Sequence, residues 1–100
     1  MRFTRHAVAD LRRLDEFLRE RNPAAADRVS RVLEKAFRQL ARFPHSGQLL
    51  DDHRPFRQMV VPFGVAGYLI RYRLEDDVVV IRITNARERR PTARLSRSAR

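Results

Sequence analysis

The chain has 100 residues, a formal charge of +10 and no cysteine. That length gives one domain with one small core, and the missing thiols exclude disulfide frameworks, thiolate zinc sites and cysteine nucleophiles. No apolar run approaches the roughly 20 residues that span a bilayer, so a cytoplasmic protein without membrane contact is expected. The charge and a pI near 11.6 imply attraction to nucleic acid or to an acidic protein segment. Lys35 is the only lysine among the 22 basic residues, so the cationic surface is built from guanidinium groups.

Met1 to Thr4 reads as a short edge strand, with Thr4 as the cap of a first helix running to Arg21. Ala7, Leu11, Leu14 and Leu18 recur at steps of four, three and four, with Val8 and Phe17 widening the stripe, and the remaining positions are largely charged. Asn22 and Pro23 stop this helix and start another, because asparagine caps and proline needs no amide partner in a first turn. The second helix is predicted to reach about Arg42, with Ala26, Val29, Leu33, Ala36, Leu40 and Phe43 as its apolar stripe. So short a link makes an antiparallel helical hairpin.

The stretch PHSGQLLDDHRP from Pro44 to Pro55 reads as a polar, turn-rich connection. Strand character returns from Phe56 to Phe63, with Pro62 at the strand's end and Gly64 and Gly67 bracketing a turn. Tyr68 to Thr84, YLIRYRLEDDVVVIRIT, is the longest β-branched and aromatic region and reads as a hairpin with Glu75, Asp76 and Asp77 at its turn. Its first arm puts Tyr68, Ile70, Tyr72 and Leu74 on one face and Leu69, Arg71 and Arg73 on the other. After Ala86 the chain becomes RERRPTARLSRSAR, and residues 91–100 are expected to form a basic, disordered tail beyond a single domain at 1–90.

Helices grouped before strands imply an α+β sandwich of two layers, the helical hairpin covering one face of a three- to four-stranded antiparallel sheet. The expected core is Leu11, Leu14, Leu18, Val29, Leu33, Ala36 and Leu40 against Tyr68, Ile70, Tyr72, Ile81 and Ile83. Arg71, Arg73 and Arg82 are then expected on the open face, with Arg57, Arg87, Arg89 and Arg90 around its rim, as the residues that bind a target or partner. Any one of these arginines could equally be a solvated residue on the wet side of the sheet.

No catalytic residue is assigned. His45 and His53, with Asp51 and Asp52, lack ligand spacing for a metal site. Tyr68 and Tyr72 fall on the core parity and read as packing residues with satisfied hydroxyls. No phosphate-binding glycine loop or nucleophile motif is present, and no cofactor is expected.

Several pieces in this order resemble the RelE/ParE superfamily of bacterial toxins from type II toxin-antitoxin pairs. They are the ADL at Ala9 to Leu11, NPAAADR from Asn22, LARFPHSG from Leu40, YLIRYR from Tyr68, and DDVVVIRI from Asp76 ending in NARERR. The resemblance implies an antitoxin partner and one of two activities, poisoning of DNA gyrase or cleavage of ribosome-bound messenger RNA. The RNA-cleaving branch often carries an arginine where Leu69 stands and a histidine where Asn85 stands. It also carries a tyrosine near the chain end, whereas the last tyrosine here is Tyr72. The expectation is therefore a ParE-like gyrase inhibitor acting by binding, with a ribosome-dependent endoribonuclease as the alternative and a basic nucleic-acid-binding module as a third reading.

Overall fold

The computed structural model describes residues 1–51 and 54–86. Seven elements follow one another: β1 (Arg2–Phe3), α1 (Arg5–Arg21), α2 (Pro23–Arg42), β2 (Gln48–Asp51), β3 (Arg54–Val61), β4 (Tyr68–Leu74) and β5 (Val78–Asn85). Both helix starts are capped as the sequence requires: the Thr4 hydroxyl accepts from the Ala7 amide, and the Asn22 side chain accepts from the Ala25 amide with Pro23 behind it.

The strands form one five-stranded sheet in the order β1-β5-β4-β3-β2. β3, β4 and β5 make the expected antiparallel meander, and the helices cover one face, so the two-layer α+β architecture is as read from the sequence. Among the described residues the strand count is five, and the sheet is mixed. β1 pairs in parallel with β5, with Arg2 opposite Val79 and Phe3 opposite Val80. β2 arises inside the stretch read as a connection. Its four residues QLLD leave Leu49 and Leu50 substantially exposed, so they carry no burial alternation that a sequence pattern could register.

The core joins Val29, Leu33, Ala36 and Leu40 of α2 to Tyr68, Ile70, Tyr72, Val80 and Ile83 of the sheet, with Ala7 from α1. Three expectations change. Val8, Phe17 and Phe43, read as part of the apolar stripes of the helices, are exposed. Leu11, Leu14 and Leu18 are only partly buried, because they line an open groove of about 420 Å³ between the helices. Ile81 is half-buried and outside the core cluster, because β5 bulges there: Arg71 pairs with Arg82 and the next residue, Tyr72, pairs with Val80, leaving Ile81 as the extra residue. The Thr4 hydroxyl donates to the carbonyl of that bulged residue at 2.8 Å, tying the entry of α1 to the sheet.

Tyr72 is fully buried, and its hydroxyl holds the turn that follows α2. It donates to the Pro44 carbonyl at 2.8 Å and accepts from the Gly47 amide at 2.9 Å. The ring lies so close to Gly47 that a Cβ there would collide with it, which accounts for glycine at that turn. Replacing Tyr72 with phenylalanine keeps the ring but leaves the buried Gly47 amide and the part-buried Pro44 carbonyl without this partner. A loss of about 1–3 kcal/mol is expected in a denaturant melt, with the far-ultraviolet spectrum unchanged.

Candidate functional site

The face of the sheet away from the helices follows from the register. Residues directly opposite one another share a face, so Gln48, Gln58, Arg71 and Arg82 form one row across β2, β3, β4 and β5, and Phe56, Arg73 and Val79 form the next. Arg71 and Arg73 therefore stand together on this face, as the alternation of β4 predicts. Arg73 Nε lies 2.7 Å from Glu75 Oε2 at the hairpin turn. Val60, on the same parity, is 59% exposed, so guanidinium groups here border apolar surface.

The other sequence-selected arginines have different positions. Arg57 is opposite Tyr72 and so has the helix-side parity. Its Nη1 donates to the carbonyls of Gly47 at 2.9 Å and His45 at 3.3 Å, clipping the same turn that Tyr72 holds. Arg82 begins on the row of Arg71, but its guanidinium is bound to Asp10 of α1. The reason is local: β1 covers β5 only at Val79 and Val80, so beyond them the edge of β5 is open and a long side chain can wrap around it. Arg87, Arg89 and Arg90 and the basic tail lie outside the described residues, as do Asp52 and His53.

Asp10 organises that edge. Its Oδ2 accepts from the Ile83 amide at 2.9 Å and from Arg82 Nε at 2.8 Å, while Oδ1 accepts from Arg13 Nη2 at 2.6 Å and Arg82 Nη2 at 3.2 Å. Asp10 is 4% exposed, the only buried charged residue among the described ones. Burial opposes its charge, yet the bond from Arg82, the bond from the Ile83 amide and the two nearby cations hold the carboxyl below its ordinary 3.8. The sequence reading did not select this residue. Its one sequence signal is a carboxylate three residues after Ala7 and four before Leu14, inside the apolar stripe of α1.

Proton transfer near neutral pH needs a group that titrates there. Burial pushes the phenols of Tyr68 and Tyr72 up from 10.0, and the Tyr72 hydroxyl is committed to Pro44 and Gly47. Among the described residues no cluster of histidine, aspartate or glutamate is arranged to hold a metal, and no helix is long and apolar enough to cross a membrane. What the outer face offers is positive charge, apolar border and extended backbone.

Comparison with known proteins agrees with this architecture. Three toxins of Caulobacter vibrioides align over 85 residues and 84% of this chain. Toxin RelE3 is 38% identical with 90% of its own length covered, Toxin RelE1 39% with 89%, and Toxin RelE2 34% with 91%. A family model described as the ParE toxin of the type II toxin-antitoxin system parDE matches residues 1–90. With a helical hairpin on an antiparallel meander, the family match and these relatives, the chain belongs to the ParE toxin family, within the RelE/ParE superfamily of type II toxin-antitoxin systems.

Proposed function

We propose that this toxin inhibits DNA gyrase by binding, acting in the cytoplasm until its antitoxin neutralises it. The observation that carries the reading is the division of labour on β4. Arg71 and Arg73 stand on the outer face, while Tyr68 and Tyr72 of the same strand are turned into the core. A poison works through binding energy, for which clustered guanidinium groups facing acidic protein or DNA phosphate are sufficient. A ribonuclease that uses the 2′-hydroxyl of its substrate also needs an acid and a base beside those cations. Leu69, part-buried beside Val60 and Thr84, and Asn85 at the end of β5 supply neither.

The RelE name of the three relatives favours the second reading, a ribosome-dependent messenger RNA endoribonuclease. Cells separate the two. On induction of the chain without its antitoxin, a reporter plasmid is expected to lose negative supercoiling while the lengths of abundant messages are preserved. Shortened messages on an unchanged plasmid would replace the proposal with the second reading.

A further inference from the structure

The Asp10 cluster leaves two guanidinium groups fixed side by side at an open rim. Arg13 and Arg82 both donate to Oδ1 of one buried carboxylate, so neither pays the full ordering cost when a further anion arrives. Their side chains are 67% and 44% exposed, and with one carboxylate between two cations the cluster keeps a net positive charge. Both line a cavity of about 300 Å³ whose wall also includes Phe17. That ring is 53% exposed although it is an aromatic in the middle of a helix. It is also held: the guanidinium carbon of Arg21 lies 3.8 Å from its centroid, and Arg21 Nη1 donates to the Phe17 carbonyl at 3.0 Å.

From this juxtaposition we propose that the α1–β5 rim binds unpaired single-stranded nucleic acid, Arg13 and Arg82 taking a backbone phosphate and Phe17 stacking a base. A peptide of acidic side chains alone would use only the guanidinium pair. An exposed, immobilised ring beside that pair adds a stacking platform, which a base fills and a carboxylate side chain does not. The site differs from the outer-face arginines and does not depend on gyrase being the target.

The test is fluorescence anisotropy of a short labelled single strand with the full chain, comparing the parent with Phe17→Leu, Arg13→Gln and Arg31→Gln. Arg31 is exposed on α2 and controls for loss of one charge. Phe17→Leu is expected to weaken binding by about fivefold to a hundredfold. Arg13→Gln is expected to weaken it and to reduce the slope of log affinity against log salt by about 0.7, while Arg31→Gln has a smaller effect on affinity. A strand with abasic positions should bind parent and Phe17→Leu alike. Equal affinities for Phe17→Leu and parent on the intact strand would overturn the proposal. So would a glutamate-rich peptide of equal charge binding as tightly as the strand. Because only the chain and a strand are present, either outcome leaves the gyrase reading standing.

Discussion

Replacing Ile70 with aspartate is expected to abolish cooperative folding. Ile70 has no exposed surface, faces Met59 and Ile83 across the two flanking strands, and belongs to the cluster that joins sheet to helices. The substitution removes about 1.5–3 kcal/mol of apolar burial. It also places a carboxylate among aliphatic and aromatic groups, which costs several kcal/mol whether it stays charged or takes up a proton. A domain of this size is stable by only about 5–15 kcal/mol. Val60→Asp is the matched control, because Val60 is on β3 one residue from Met59 but 59% exposed, and its effect should be near ±0.5 kcal/mol. Thermal melts followed by circular dichroism check both: no transition for Ile70→Asp, a nearly parental one for Val60→Asp.

Asp10→Ala is expected to cost about 2–4 kcal/mol, since it removes a buried carboxylate that accepts four hydrogen bonds and leaves the Ile83 amide without its acceptor. For a 100-residue domain that corresponds to a fall in melting temperature of about 10–25 °C. The loss should depend on pH in one direction. The folded-state pKa of Asp10 lies below its ordinary 3.8, so its contribution is fully present above that value and disappears as pH falls through the folded pKa. Parent and Asp10→Ala should therefore differ by a constant amount from neutral pH down to about pH 5 and converge only in stronger acid. A gap that closed between pH 7 and 5 would mean that another group holds the edge of β5.

These two residues also mark where the sequence was legible and where it was not. Ile70 sits in a strand whose alternation is uninterrupted from Tyr68 to Tyr72, so its face could be read directly, and the helices were equally plain from their periodic stripes and the Thr4 and Asn22 caps. Asp10 acts through a contact with Arg82 and Ile83, more than seventy positions away, and local pattern carries no such partner. The same holds for the bulge at Ile81. Strict alternation put Ile81 in the core with Ile83, but the extra residue between the Arg82–Arg71 and Val80–Tyr72 pairs gives the core face to Val80 and leaves Ile81 out of it, and the Thr4 hydroxyl from the far end of the chain bonds the Ile81 carbonyl. β2 was hidden for a different reason. It pairs through its backbone at a sheet edge while its leucines remain exposed, so ladder hydrogen bonds hold it more than side-chain burial does.

The candidate surface was partly legible by the same logic. Arg71 and Arg73 follow from parity alone, and the register sets them in adjacent rows. Arg82 shares their parity, but the open edge lets its side chain turn to Asp10, so it positions the rim of β5 and stands apart from the outer-face pair. Arg57 serves the turn at Gly47, and changing it should disturb that turn before it disturbs any partner.

The most direct measurement is a supercoiling titration with purified gyrase, relaxed plasmid and increasing amounts of the chain, run beside an Arg71→Ala, Arg73→Ala double variant. Inhibition by the parent is predicted, weakening as salt rises. The double variant should need on the order of tenfold more protein or beyond. Its cooperative thermal transition should be retained, because both substitutions lie outside the core cluster and the Arg73–Glu75 bridge is a surface pair worth about 0–1 kcal/mol. Undiminished supercoiling at concentrations where the same preparation cuts a defined message on translating ribosomes would contradict the account.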